Sequence, residues 1–294
     1  MQVDRRKFIG GSDIAAILGI SPWATPLDVY LEKTGECERE INFEQQKRLD
    51  RGKRMEPYVI DILEEETGIC VTRRNQRYSL PEYPYMSCEI DAESRCGLNI
   101  EIKTTSEFNK KSWGEEGTDD IPVFYTAQAM WGLMITGKQE CVVAVLIGSD
   151  NFKTYYIKRD EEVIKHLFEK AKAFWEMVEA KTPPPPVNEK DIAALFPKDD
   201  GKHIECGDDI YNLYQQAKNI REEIRMLELA KDNLDTQIKA YMKDKSTLIY
   251  RGNTVATYRT QHTRRFNLED FKNDNPYLFN DYTKTTESRV LRIK

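Results

Sequence analysis

Apolar side chains along the first 180 or so residues follow two rhythms, a spacing near 3.6 that marks helices and short dense runs that mark strands. After the glycine pair Gly10 and Gly11, Ser12 reads as the N-cap of a short helix carrying Ile14, Ala15, Ile17 and Leu18. Thr25 before Pro26 starts a second helix with Leu27, Tyr30 and Leu31 turned inward, and Gly35 ends it. A longer pattern over residues 42–68 has Leu49, Met55, Val59, Ile60, Ile62 and Leu63 on its buried side; Gly52 and Pro57 predict a break or kink in it. Residues 86–90 and 98–102 are short strand patterns joined by a turn containing Gly97, a β-hairpin. An unusually apolar helix opens at Pro122 and ends at Gly137. Strands follow over 141–147 and 152–157, and an amphipathic helix over 161–180 carries Val163, Ile164, Leu167, Phe168, Ala171, Phe174, Trp175 and Val178.

Four consecutive prolines, Pro183 to Pro186, then interrupt the pattern as a stiff spacer. They divide the chain into a domain over 1–182, a linker over 183–187 and an appendage over 188–294. Within the appendage, residues 210–242 keep Leu213, Ala217, Ile220, Ile224, Leu227, Leu234, Ile238 and Tyr241 close to a heptad seam, a long helix suited to packing on a partner helix or on the first domain. A hairpin (TLIY, then TVATYRT) and a basic tail with Arg264, Arg265, Arg289, Arg292 and Lys294 complete it.

Composition narrows the class. The 294 residues include no run of eighteen apolar residues, and the basic N-terminus is followed by no signal-like apolar core, so a cytoplasmic protein with no membrane span is expected. Six cysteines without a C-x-x-C pair argue against a zinc site or a disulfide scaffold. Three isolated histidines give Ser/His/Asp and Cys/His schemes little support. The net charge of −6 opposes a nucleic-acid partner, but residues 239–294 hold twelve Lys/Arg against six Asp/Glu, so the charge is unevenly spread.

The chemistry concentrates in the hairpin, YMSCEIDAESRCGLNIEIK. On the second strand Glu101 and Lys103 share one side while Ile100 and Ile102 take the other, and Asp91 at the end of the first strand can face the same pocket. Two adjacent carboxylates call for a cation, and oxygen donors suit Mg²⁺ or Mn²⁺. Lys103 beside such an ion can orient or deprotonate a water, which is phosphodiester-hydrolysis chemistry. Taken alone, D-x₉-E-x-K fits an ordinary solvated ion pair at least as well. Glu56, beside Pro57, reads on its own as surface charge. Gln128 is one of few polar groups on its apolar helix and needs hydrogen-bond partners. Arg5 or Arg6, with Ser12 and the backbone N–H groups behind the two glycines, can hold a phosphate; a plain capped helix is the alternative.

Five segments in order, GGSDIAAILGISPWATPLDVYLEKTG, RGKRMEPYVIDIL, SCEID, EIKTTS and YTAQAMWGLMITG, resemble the YqaJ-like viral recombinases, phage nucleases similar to the lambda exonuclease within the PD-(D/E)XK superfamily. The resemblance spans roughly residues 5–180. It implies an α/β fold, a mixed central sheet of about five strands flanked by helices in a restriction-endonuclease-like core, followed by the helical and basic C-terminal appendage. It further implies Asp91, Glu101 and the Ile102 carbonyl as ligands of Mg²⁺ or Mn²⁺, with two ions in all. Lys103 would act on the water, Glu56 at the second ion, Gln128 at the water or scissile phosphate, and Arg5 with Ser12 at a 5′-phosphate. One departure is E-I-D in place of the superfamily's common Pro-Asp. The implied activity is a 5′→3′ double-strand DNA exonuclease of phage-type recombination, acting on double-stranded DNA ends and leaving 3′ single strands for a single-strand annealing protein. A homo-oligomer, a ring-shaped trimer, follows from the same likeness. The alternatives are an endonuclease or helicase-associated nuclease of the superfamily, and a catalytically inactive DNA- or recombinase-binding module.

Overall fold

The computed structural model describes residues 4–37 and 42–294 in two compact units, Met1–Leu195 and Phe196–Lys294. The first is built on β1 (Val71–Ser79), β2 (Ser87–Ser94), β3 (Asn99–Thr105), β4 (Glu140–Ile147) and β5 (Asn151–Lys158), which form one sheet in that order. Neighbours pair antiparallel except β3 and β4, which run parallel. A parallel pair needs a crossover, and the apolar helix α4 (Val123–Thr136) supplies it. The α/β class and the five-stranded mixed sheet are as the sequence predicts.

Helices cover both faces of the sheet. α3 (Phe43–Thr67) lays Val59, Ile60 and Leu63 on Ala92, Ile100, Ile102, Val142, Ala144 and Leu146. On the other face α1 (Gly11–Ile17), α2 (Pro26–Thr34), α4 and α5 (Glu161–Glu179) enclose Trp131, Leu133, Val143, Val145 and Phe174. Because β4 is buried on both faces, its sequence ECVVAVLI reads as one apolar run rather than an alternation. Two details seat α4. Trp131, fully buried, donates its indole N–H to the Ser87 carbonyl at 2.9 Å. Gly132 allows close approach to β2, since a Cβ there would lie 3.1 Å from Ile90 Cδ1.

Several local expectations change. Gly52 and Pro57 do not break α3, which is continuous over 25 residues. Pro57 is exposed, so its ring and missing N–H face solvent while the stripe from Val59 to Leu63 holds the helix on the sheet. Leu49, expected inside, is 58% exposed because the N-terminal half of α3 precedes its first buried residue. Val163 likewise sits on the outer side of α5. The edge strand β1 carries no apolar signal: VTRRNQRYS is polar throughout its middle, pairs only with β2, shifts register between Val71 and Arg73, and has Asn75 at φ 54°. Beyond the prolines, α6 (Glu189–Leu195) still belongs to the first unit. Its buried Asp191 accepts from the Thr25 hydroxyl at 2.9 Å and from the Val187 N–H at 3.0 Å.

The second unit has α7 (Asp208–Met242), the hairpin of β6 (Thr247–Tyr250) and β7 (Asn253–Thr257), and two short helices, α8 (Leu268–Asp274) and α9 (Pro276–Tyr282). Ile220, Ile224, Leu227, Leu234 and Ile238 of the seam are exposed, and only Met242 of α7 is buried. The Tyr214 hydroxyl donates to the Lys294 carbonyl at 2.6 Å, returning the C-terminus to this helix. Among the described residues no helix is long and apolar enough to cross a membrane.

Candidate active site

β2 and β3 pair at Ala92 with Ile100 and at Glu93 with Asn99, a register that brings Asp91 alongside Glu101. The ladder ends there, and Ile102 N–H, which a continuing ladder would satisfy, donates instead to Asp91 Oδ2 at 2.8 Å. On β3, Lys103 Nζ donates to Glu101 Oε1 at 2.5 Å and to Gln128 Oε1 at 3.2 Å. The Gln128 amide nitrogen closes the ring by donating to the same Glu101 oxygen. Thus the crossover helix answers the question its lone glutamine raised: Gln128 spans the acid and the ammonium. Lys103 Nζ also lies 4.9 Å from the centre of the Tyr125 ring, a cation–π contact not foreseen from sequence.

Electrostatics fit this crowding. Burial, and then the charge of Glu101, push the Asp91 carboxyl up to about 7. Burial works against the Lys103 ammonium, but Glu101 and Asp91 outweigh it and push Lys103 up to about 12. In the protein alone Lys103 therefore holds its proton near neutrality. Glu56, half-buried on α3, is also raised, by burial and by the charge of Asp91, so it feels the acid pair. It does not join it: among the described residues no three His, Cys, Asp or Glu side chains are grouped to hold a metal ion. The donor set is two carboxylates and strand backbone, all oxygen, which suits a Mg²⁺-like ion completed by water and substrate phosphate. A cation there would relieve the conflict that keeps Asp91 protonated up to about 7.

The N-terminal cluster differs from its sequence reading. Gly10, not Ser12, is the N-cap of α1, and its N–H donates to Asp13 Oδ2 at 3.0 Å. Ser12, two residues further on, is free of that duty and accepts from Arg5 Nη2 at 3.0 Å. The same Nη2 reaches Asp13 Oδ1 at 2.9 Å, and Arg5 Nε lies 3.4 Å from Glu32 Oε1. Beneath them Lys33, with a fully buried side chain, pairs with Asp13 Oδ2 at 2.8 Å and donates to the Arg5 carbonyl at 2.9 Å. Burial would raise the Asp13 carboxyl, but Lys33 and Arg5 outweigh it and hold it below the usual carboxylate range. Arg6 forks onto Asp4 at 2.9 and 3.2 Å, so Arg5 is the arginine that meets Ser12. Asp13 and Lys33, which organise the cluster, carry no signal in sequence, since twenty residues separate the partners.

The two clusters touch. A Cβ at Gly11 would lie 3.3 Å from Gln128 Cγ and 3.7 Å from Trp131 Cδ1, so the bare backbone of α1 lets it rest directly on α4 beside the glutamine.

A family model described as the YqaJ-like viral recombinase domain matches residues 2–139, a stretch that contains both clusters. The uncharacterized protein YqaJ of Bacillus subtilis (strain 168) is 30% identical over 301 residues, covering 99% of this chain and 92% of that protein. Among solved structures, the alkaline exonuclease LHK-Exo from Laribacter hongkongensis is similar at 19% identity over 60% of this chain and 91% of that one, with a TM-score of 0.46. A phage related exonuclease from Haemophilus somnus 129PT is similar at 13% identity over 59% and 94%, with a TM-score of 0.41.

Proposed function

As the chain belongs to the family of the YqaJ-like viral recombinase domain, we propose that it is a Mg²⁺-dependent deoxyribonuclease that degrades double-stranded DNA from its 5′ ends and leaves 3′ single strands for an annealing protein. The observation that carries this reading is the hydrogen-bonded ring of Glu101, Lys103 and Gln128, with Asp91 alongside it on the Ile102 N–H, where the interior strands β2 and β3 stop pairing. Asp91, Glu101 and the Ile102 carbonyl would hold the ion, and a bound Mg²⁺ or Mn²⁺ would polarise the phosphodiester and acidify water. Lys103 offsets charge as it builds on the phosphate oxygens, with Gln128 keeping both it and Glu101 in place. Glu56 would serve a second ion completed by phosphate and water. We further assign a homo-oligomer, a cytoplasmic setting and, to the basic tail, contacts with DNA or the annealing protein.

The direct test is hydrolysis of linear duplex DNA. Activity is expected with Mg²⁺ or Mn²⁺ and absent in EDTA, and undiminished cutting in EDTA overturns the reading. Closed circular duplex should resist; rapid nicking of circles would favour the endonuclease alternative.

The contact of Arg5 with Ser12 supports a role for these two residues at the 5′ terminus, where a phosphate carries more charge than an internal diester. Asp13 and Glu32 already share the Arg5 guanidinium, so the preference should be graded rather than absolute. Wild type should digest 5′-phosphorylated duplex roughly tenfold faster than 5′-hydroxyl duplex, the scale of one charge-assisted contact. Arg5→Ala should erase that ratio while keeping slow metal-dependent cutting. Equal wild-type rates on the two substrates would remove the assignment.

A further inference from the structure

Next to Lys103 an aromatic ladder leads from the sheet to solvent. Tyr125, under the Lys103 ammonium, stacks on Trp113 with ring centres 5.6 Å apart and meets Phe124 edge-on at 4.5 Å. Phe124 in turn meets Trp23 edge-on at 4.8 Å, and Trp23 lies 6.2 Å from Tyr125. The ladder ends in the open: Trp23 is 61% exposed. Its backbone is nonetheless pinned, because its N–H donates to Ser21 Oγ at 3.2 Å, Ala24 is buried, and Thr25 caps α2. Pro22 and Pro26 stiffen the segment on either side. A rigid backbone that holds a large indole in water, two ring contacts from the central ammonium, adds nothing to the core that a smaller residue would not.

We propose that Trp23, backed by Phe124 and Tyr125, is the platform on which an unpaired base of the strand being cut stacks. The inference rests on the nuclease reading above: with a scissile phosphodiester at Lys103, what lies two rings away is the base of that nucleotide or of its neighbour. For a duplex strand to bring a phosphodiester to a site between the interior strands β2 and β3, its terminal base must leave its partner and its stack, and an aromatic face replaces part of what is lost. Stacking accepts every base because each has a π-face, as an enzyme that degrades any sequence requires. The ladder also couples base to charge, since the ring that supports Phe124 and Trp23 is the one that supports Lys103.

Tryptophan emission tests this directly. Trp131 is fully buried and Trp113 nearly so, which leaves Trp23 and the partly buried Trp175 as the surface emitters. The full-length protein is titrated, in Ca²⁺ in place of Mg²⁺, with 5′-phosphorylated duplex bearing a two-nucleotide unpaired 5′ tail and with the same duplex fully paired. We expect quenching by the tailed duplex that Trp23→Phe loses, and an affinity loss of about tenfold for Trp23→Ala on the tailed duplex, the scale of one base–aromatic stack. Trp23→Phe, which keeps a stacking ring, should stay within about threefold of wild type. In turnover Trp23→Ala should raise KM more than it lowers kcat. Thermal melting of Trp23→Ala within a few degrees of wild type shows that the fold is intact, as its exposure predicts. Quenching that persists in Trp23→Phe, or wild-type affinity in a folded Trp23→Ala, overturns the platform while leaving the nuclease reading standing. A wild type that neither binds nor cuts DNA overturns both.

Discussion

Lys103→Ala should lose DNA hydrolysis by on the order of 10³-fold, with the fold preserved. The ammonium contributes twice. It is the positive charge nearest the acid pair, and through its bonds to Glu101 and Gln128 it fixes the carboxylate that would meet the ion. Removing it leaves Glu101 and Asp91 facing each other with less compensation, while Lys103 itself contributes little buried apolar area. Wild-type turnover by the alanine variant would refute the central assignment. Asp91→Asn separates function from stability at the same place. The folded carboxyl titrates at about 7, above its ordinary value of 3.8, because its ionised form is disfavoured by burial and by Glu101. The folded state therefore holds the proton that the unfolded state releases, and stability falls as pH rises from about 4 to about 7. Asp91→Asn removes that penalty: the variant should be inactive, yet in EDTA it should melt above wild type at pH 8, with the advantage fading toward pH 4. A lower melting point than wild type at pH 8 would show that the acid pair is not in conflict.

Asp13→Ala should destabilise the first unit by about 3–5 kcal/mol, the cost of stranding a buried partner charge. Lys33 has a fully buried side chain and Asp13 is its closest counter-charge at 2.8 Å, with Glu32 farther off at 3.7 Å. The same change removes the acceptor of the Gly10 N–H and one anchor of Arg5. For a unit of this size the melting point should drop by roughly 6–20 °C. Lys33→Met should cost less, since Asp13 would retain Arg5 and the Gly10 N–H while the methionine fills the lysine's volume. If Asp13→Ala melts with wild type, the pair is dispensable; if Lys33→Met is the worse variant, the charge left behind is not what matters.

What could be read from sequence was whatever is local and apolar. β4 announces itself through a dense apolar run, β5 through its aromatic and β-branched residues, α2 through Thr25, Pro26 and Gly35, and the hairpin through its turn and alternation. β1 could not be read because an edge strand exposed over most of its length needs no apolar alternation. Pro57 misled because a proline on the outer side of a docked helix removes one hydrogen bond without removing the contacts that hold the helix. Ser12 reads as a cap from sequence, but Gly10 caps the helix and its N–H goes to Asp13, whose partner Lys33 lies twenty residues along the chain. The acid pair, Lys103 and Gln128 were legible as residue types, but Tyr125, Trp23 and the closed ring around Glu101 depend on how α4 crosses the sheet.

The bare backbone of Gly11 has an evolutionary corollary. A Cβ there would already press on Gln128 Cγ at 3.3 Å, so the backbone between the Arg5 cluster and the Glu101–Lys103–Gln128 ring has no room to spare. If Arg5 and Ser12 hold a DNA terminus, lineages or libraries can retune it at Arg5, Ser12 and Glu32, which bond to one another, but a methyl group added at Gly11 pushes on Gln128, which bonds to Glu101. End preference in such enzymes should therefore diversify around a fixed glycine, and selection for new termini should return that codon unchanged.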